Sequence, residues 1–177
     1  MSTTKWVLDP THSEVQFKVK HLMISTVTGH FKTFEATAET EGDDFSSVSV
    51  TFSAELESIS TNNDQRDAHL KSPDFFDLEN HPKLSFTGSS PVKTGEGTYK
   101  LTGDLTLRGV TKPLTLDVEL GGFGKDPWGN ERFGVEVTGK INRKDFGVNF
   151  SMVNETGGIL LSEVVTLHAA AEFVKQA

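Results

Sequence analysis

No cysteine occurs among the 177 residues. That excludes disulfides, thiol catalysis and cysteine-ligated metals, and leaves the redox state of the surroundings open. Positive charge is also scarce: 17 Lys and Arg stand against 25 Asp and Glu, a formal net charge of −8 and a pI near 5.2. Nucleic-acid binding needs concentrated positive charge, so no such partner is expected. Long apolar runs are missing as well. The opening MSTTKWVLDP has no stretch of signal-peptide length, and no later segment reaches a membrane span. The expectation is a soluble cytoplasmic protein, or a periplasmic one if a leader has been removed. With no linker, repeat or composition break, a single domain over 1–177 is expected, large enough to bury a core without staples.

Polar aromatics are few: one Tyr and two Trp against 13 Phe. Phenylalanine brings apolar area with no hydroxyl to satisfy. Two interiors fit that bias, a Phe-packed core or a chamber for something oily.

What the sequence has in quantity is period-two alternation, the mark of half-buried strands. It runs through 14–21 (Val15, Phe17, Val19 and then His21 on one face), 33–40 (Phe34, Ala36, Ala38) and 48–56 (Val50, Phe52, Ala54). It recurs through 84–88 (Leu84, Phe86), 98–107 (Leu101, Gly103, Leu105, Leu107), 114–121 (Leu116, Val118), 132–141 (Phe133, Val135, Gly139) and 163–173 (Leu167, Ala169, Phe173). Strands that are polar on one face pair antiparallel. Eight such strands fit an all-β up-and-down barrel or a sandwich, and alternation alone does not choose. The inward face mixes large rings with Ala and Gly. In a filled core these interdigitate; in a binding barrel the small residues line an empty channel.

Up-and-down order sorts the connections. Segments 41–47, 90–97 and 122–131 are turn-rich and fall at one end. Segments 22–32, 57–82, 108–113 and 142–162 fall at the other, and the long ones among them point to function. One of them contains NNDQRDAHLKSPDFFD (62–77). Thr61 or Asn62 is placed to cap a short helix over about 63–71, and Ser72-Pro73 to start a second short turn carrying Phe75 and Phe76, one ring entering the interior and the other packing outside. Arg66, Asp67 and His69 fit a structural network, with Arg66 paired to an aspartate, or a contact to a polar ligand head.

No nucleophile elbow, phosphate loop or dinucleotide fingerprint is present. The six histidines show no i, i+2 or i, i+4 pair, so neither a metal site nor a resident cofactor is expected.

HSEVQFKVKHLMISTVTGHF (12–31), STNNDQRDAHLKSPDFFDLENHPKLSFTG (60–88), GDLTLRGVTKPLTL (103–116) and INRKDFGVNF (141–150) closely resemble the YceI-like, polyisoprenoid-binding proteins. The match runs nearly end to end. The resemblance implies an eight-stranded antiparallel lipocalin-like barrel with short helical insertions at one end and a long apolar channel. It also implies a bound polyisoprenoid, isoprenoid quinone or other amphiphilic lipid, and no established catalytic residues; homodimers are known among members. Barrel is thereby favoured over sandwich, and a partly empty interior over a filled one.

On that footing, the expected tail contacts are Phe17, Val19, Phe34, Phe52, Phe75, Phe76, Phe86, Leu105, Leu107 and Leu116. The expected head contacts are His21, Arg66, His69, Arg108 and Arg143. The competing expectation is an enzyme acting on a lipid-like substrate, with His21, His69 and Asp67 as acid and base.

Overall fold

The structure, a computed structural model, describes residues 3–22, 24–148 and 161–177. Twelve strand segments form one antiparallel sheet: β1 (Thr3–Leu8), β2 (Glu14–His21), β3 (Ser25–Phe31), β4 (Phe34–Glu41), β5 (Asp44–Glu55), β6 (Ile59–Ser60), β7 (Lys83–Ser89), β8 (Val92–Gly95), β9 (Thr98–Leu107), β10 (Val110–Lys125), β11 (Glu131–Asn142) and β12 (Leu161–Lys175). Among the described residues one α-helix, α1 (Asp64–Lys71), interrupts them. Pairing runs β1-β4-β5-β7-β9-β10-β11-β12 and closes through β1–β12, with Leu8 opposite Phe173. The result is an eight-stranded barrel whose longer staves are broken into two segments.

The breaks have local causes. Asp9 and Pro10 end β1, because proline cannot donate to the ladder, and the Asp9 side chain caps the 3-10 turn Pro10–His12. The chain then resumes as β2, still against β12, with Phe17 opposite Leu167. The partner stave bends at Lys32–Thr33, between β3 and β4. The structure departs from the sequence expectation at two places. Thr3–Leu8 is a strand, with Trp6 and Leu8 inward. Most of 22–32 is β3 rather than loop, with Gly29 opposite Phe17 and Phe31 opposite Val15. The connection read over 142–162 lies in part outside the described residues.

The ends separate as the connection order requires. Tight turns at Gly42–Asp43, Glu96–Gly97 and 126–130 lie at one end, called here the closed end. The connection from β2 to β3, the excursion 56–82 and the Arg108-Gly109 turn lie at the other, the open end. Positive φ at Arg108 (55°) and Gly109 (74°) gives the paired left-handed residues that a two-residue hairpin turn requires.

Aromatic rings pack the closed end. Trp6 is 1% exposed and meets Phe133 edge-on at 4.8 Å, while Phe133 stacks on Phe173 at 4.9 Å. The Trp6 indole N–H donates to Thr40 Oγ1 at 3.0 Å, and Thr40 donates to the Gly42 carbonyl at 2.6 Å, so the buried polar atoms are satisfied.

Outside this plug sits an ion network centred on Arg132. Its Nε donates to Asp126 at 2.9 Å, and its Nη1 donates to Asp9 at 2.9 Å and Glu172 at 3.1 Å. Hydrogen bonds from Thr11, Arg132 and His12 hold the Asp9 carboxyl well below the usual carboxylate range. Burial opposes ionisation of Asp126, yet Arg132 and the N–H groups of Asn130 and Trp128 bring it down to about 2. Asp9, His12 and Glu172 place ligand atoms within 4.8 Å of one another, a spacing that suits a cation, but the Arg132 guanidinium already bonds both carboxylates.

Candidate functional site

The interior is neither solid nor uniformly open. An inner chamber of about 180 Å3 lies toward the closed end, and an outer chamber of about 320 Å3 lies toward the open end. Phe31, Leu84, Leu105 and Leu167 line both, so these four side chains stand at the boundary between the chambers, called here the neck. Phe52, Phe86 and Leu116 line the inner chamber. Phe17, Val19, Leu107, Phe75 and Phe76 line the outer one. Both rings of the Phe75-Phe76 pair therefore face the chamber, rather than one entering and one packing outside. Backbone bonds from Phe75 N to Ser72 and from Phe76 N to Leu70 fold 72–76 back under α1, as turns and not as a second helix.

Phe34 is the expected tail contact that lines neither chamber. It sits at the bend between β3 and β4, opposite Ala54 and 6.5 Å from the Phe52 ring, and is consumed in wall packing.

Among the described residues, the polar side chains lining the outer chamber are His21, Thr61, Arg66, His69 and Arg143, from the end of β2 and the connections of the open end. Among the described residues, no Asp or Glu lines either chamber. Arg143, the first residue of the 3-10 turn Arg143–Phe146, is only 4% exposed. Its Nε donates to the Ser162 carbonyl at 3.0 Å and its Nη1 to the Val148 carbonyl at 2.9 Å. Burial lowers its pKa, with Glu163 opposing, but a guanidinium keeps its proton in such sites. His21 ends β2 opposite Ser25 and Leu161, half-buried, and its ring nitrogens have no hydrogen-bond partner among the described residues.

The opening of α1 is a closed hydrogen-bond circuit. Asn62 takes a left-handed φ of 63°, and Asn63, not Thr61 or Asn62, caps the helix by accepting from Arg66 N. Asp67 Oδ1 accepts from Thr61 N at 2.8 Å and Thr61 Oγ1 at 2.6 Å. Arg66 donates through Nε to Thr61 Oγ1 and through Nη2 to the Thr61 carbonyl, both at 2.7 Å. The expected Arg66–aspartate pair is thus relayed through Thr61 rather than direct. His69 bonds Asp74 at 2.9 Å and stands edge-on to Phe75 at 5.0 Å.

Arg108, an expected head contact, lines neither chamber. Its turn aims the guanidinium sideways, so that Nη1 donates to the Gly147 carbonyl at 2.6 Å and Nη2 to the Pro73 carbonyl at 2.8 Å. It ties three connections of the open end together. The acid–base trio is not assembled either: Asp67 is bonded to Thr61, His69 to Asp74, and Asp67 lines neither chamber. Val27, Phe31 and Leu70 line the site without having been singled out in the sequence, and Thr61 and Leu84 were expected there as a helix cap and an inward strand residue rather than as ligand contacts. Phe31 and Val27 follow from period two once β3 is recognised as a strand.

The small inward residues do not simply border empty space. A Cβ at Gly29 would lie 2.1 Å from Phe17 Cζ, one at Gly103 2.6 Å from Phe86 Cζ, and one at Gly139 2.5 Å from Leu116 Cδ2. Large side chains fold flat over these glycines, which clears the bore while keeping the wall packed.

A closed, twisted barrel with an apolar channel and a polar mouth defines a class of small-molecule-binding barrels. Sequence comparison narrows it. The YceI-like domain matches residues 6–173, and the chain belongs to the YceI-like family. It is 42% identical over 171 residues to a UPF0312 protein of Staphylococcus aureus, covering 96% of this chain and 97% of that protein. Its fold is similar to that of a Campylobacter jejuni YCEI protein (TM-score 0.76, 32% identity, 89% and 90% of the two chains) and of Burkholderia cenocepacia BcnA (TM-score 0.81, 21% identity, 93% and 98%). A polyisoprenoid binding domain from Saccharophagus degradans shares the fold at 16% identity, with a TM-score of 0.70 over 97% and 98% of the chains.

Proposed function

We propose that the chain binds a long-chain, isoprenoid-type amphiphile, with the polar head at the open end and the tail passing the neck into the inner chamber, for carriage or storage of the lipid. One observation carries this reading: two largely apolar chambers that share Phe31, Leu84, Leu105 and Leu167 as lining, with His21, Thr61, Arg66, His69 and Arg143 lining the outer one. The fold shared with a polyisoprenoid binding domain supports it. Each buried methylene contributes roughly 0.8 kcal/mol, so ten of them offer about 8 kcal/mol before ordering costs. With few polar anchors, affinity depends on apolar length and width more than on head-group identity. Organic extraction of the purified protein followed by mass spectrometry tests the reading. A prenyl-type lipid near one equivalent is expected. No extracted lipid, together with no uptake of added polyprenol, overturns it.

A further inference from the structure

Phe17 and Gly29 are register partners on β2 and β3, and the Phe17 ring lies flat across Gly29. A Cβ at position 29 would stand 2.1, 2.3 and 2.9 Å from Phe17 Cζ, Cε1 and Cε2. All three are far-end ring atoms, so the ring and not the backbone must yield. Gly103 differs: a Cβ there would meet the Thr87 carbonyl at 2.1 Å, which makes it a requirement of the wall itself. A displaced Phe17 ring must move away from Gly29. Phe17 packs in a cluster with Phe31, whose ring is 5.7 Å away, and with Ala54, Leu56 and Ile59, so the open space it borders is the outer chamber that it lines.

We propose that the Phe17–Gly29 pair sets the width of the outer chamber and thereby selects methyl-branched prenyl chains over straight acyl chains, an inference that rests on the lipid-binding reading above. A branched chain has the larger cross-section and fills a bore cleared by a flattened ring. A straight chain in the same bore leaves voids along its length, and wall atoms facing a void lose their dispersion contacts. Gly139 under Leu116 repeats the device in the inner chamber.

The test compares the affinity of geranylgeraniol with that of a straight-chain alcohol of the same backbone length. Wild type is expected to favour the branched alcohol. Gly29→Ala drives the ring into the bore, weakening branched binding about tenfold or more while leaving straight-chain binding within about twofold. Adding Phe17→Leu to Gly29→Ala removes the ring atoms that clash and restores the branched preference. A folded Gly29→Ala protein with an unchanged preference overturns the inference, as does a double variant that restores nothing. If Gly29→Ala does not fold, Phe17→Leu alone decides: a raised branched preference supports the gauge, and an unchanged one overturns it. A wild type that binds neither alcohol overturns the lipid-binding reading and the gauge together, whereas failure of the variants alone overturns only the gauge.

Discussion

The two ends of the barrel are built from the same staves and the same residue types, yet they use them differently. At the closed end Trp6, Phe133 and Phe173 fill the bore ring against ring, and the nearby charges saturate one another around Arg132. At the open end Phe17, Phe75 and Phe76 line a chamber instead of filling it, and His21 and Arg143 face that chamber. Stability and binding are therefore separated along the axis. Trp6, Phe133 and Phe173 serve the first role by packing on one another, and Phe17 serves the second by lying against Gly29.

Substitutions at matched depths break or sharpen this contrast. The largest expected effect is at the plug: Phe133→Ala, in a site 2% exposed, should cost about 3–5 kcal/mol in urea unfolding. Phe76→Ala at the open end, where the ring is half-buried and faces the chamber, should cost less and alter ligand uptake instead. Next comes the neck. Leu105→Trp should cost about 1–3 kcal/mol by overpacking and block the inner chamber, so that long chains lose their length advantage over short ones in binding titrations.

The ion network predicts a pH effect at the closed end. Asp9 and Asp126 are held below the ordinary carboxylate value of about 3.9, so the unfolded chain binds more protons in acid than the folded one. The stability they contribute is complete above that value and is lost as the pH falls toward about 2. Arg132→Met removes a donor shared by both carboxyls and should flatten this acid limb in a series of melting temperatures against pH. The smallest stability effect belongs to His21→Ala, expected within about 0.5 kcal/mol because its ring bonds nothing among the described residues, with the change appearing in head-group affinity.

Much of this contrast was legible in the sequence. Period two placed the long strands, and counting connections assigned each loop to its end. His21 emerged because it continues the inward face of Val15, Phe17 and Val19. What stayed hidden has physical reasons. β1 offers only Trp6 and Leu8 inward before Asp9-Pro10 stops it, too short a run for periodicity to register. β3 puts a glycine between Val27 and Phe31, and without a side chain Gly29 leaves a gap in the pattern. Arg108 shares an end with the mouth, but the direction of its side chain depends on a left-handed turn and on carbonyls 35 and 39 residues away. Gly103 and Gly139 were readable as small inward residues and not as seats for large side chains, because Phe86 and Leu116, which lie over them, come from neighbouring strands.

Trp6 and Trp128 allow the most direct test of this polarity. Trp6 is buried against Phe133, which lines the inner chamber, while Trp128 is 81% exposed in the 126–130 turn. In Trp128→Phe protein, Trp6 is the remaining tryptophan fluorophore. A long-chain alcohol brominated at its tail end should quench Trp6 saturably at one equivalent, and the same alcohol brominated beside the hydroxyl should bind without quenching. Quenching by the head-labelled chain instead, or binding of both with no quenching, would contradict a tail that runs from the open end through the neck.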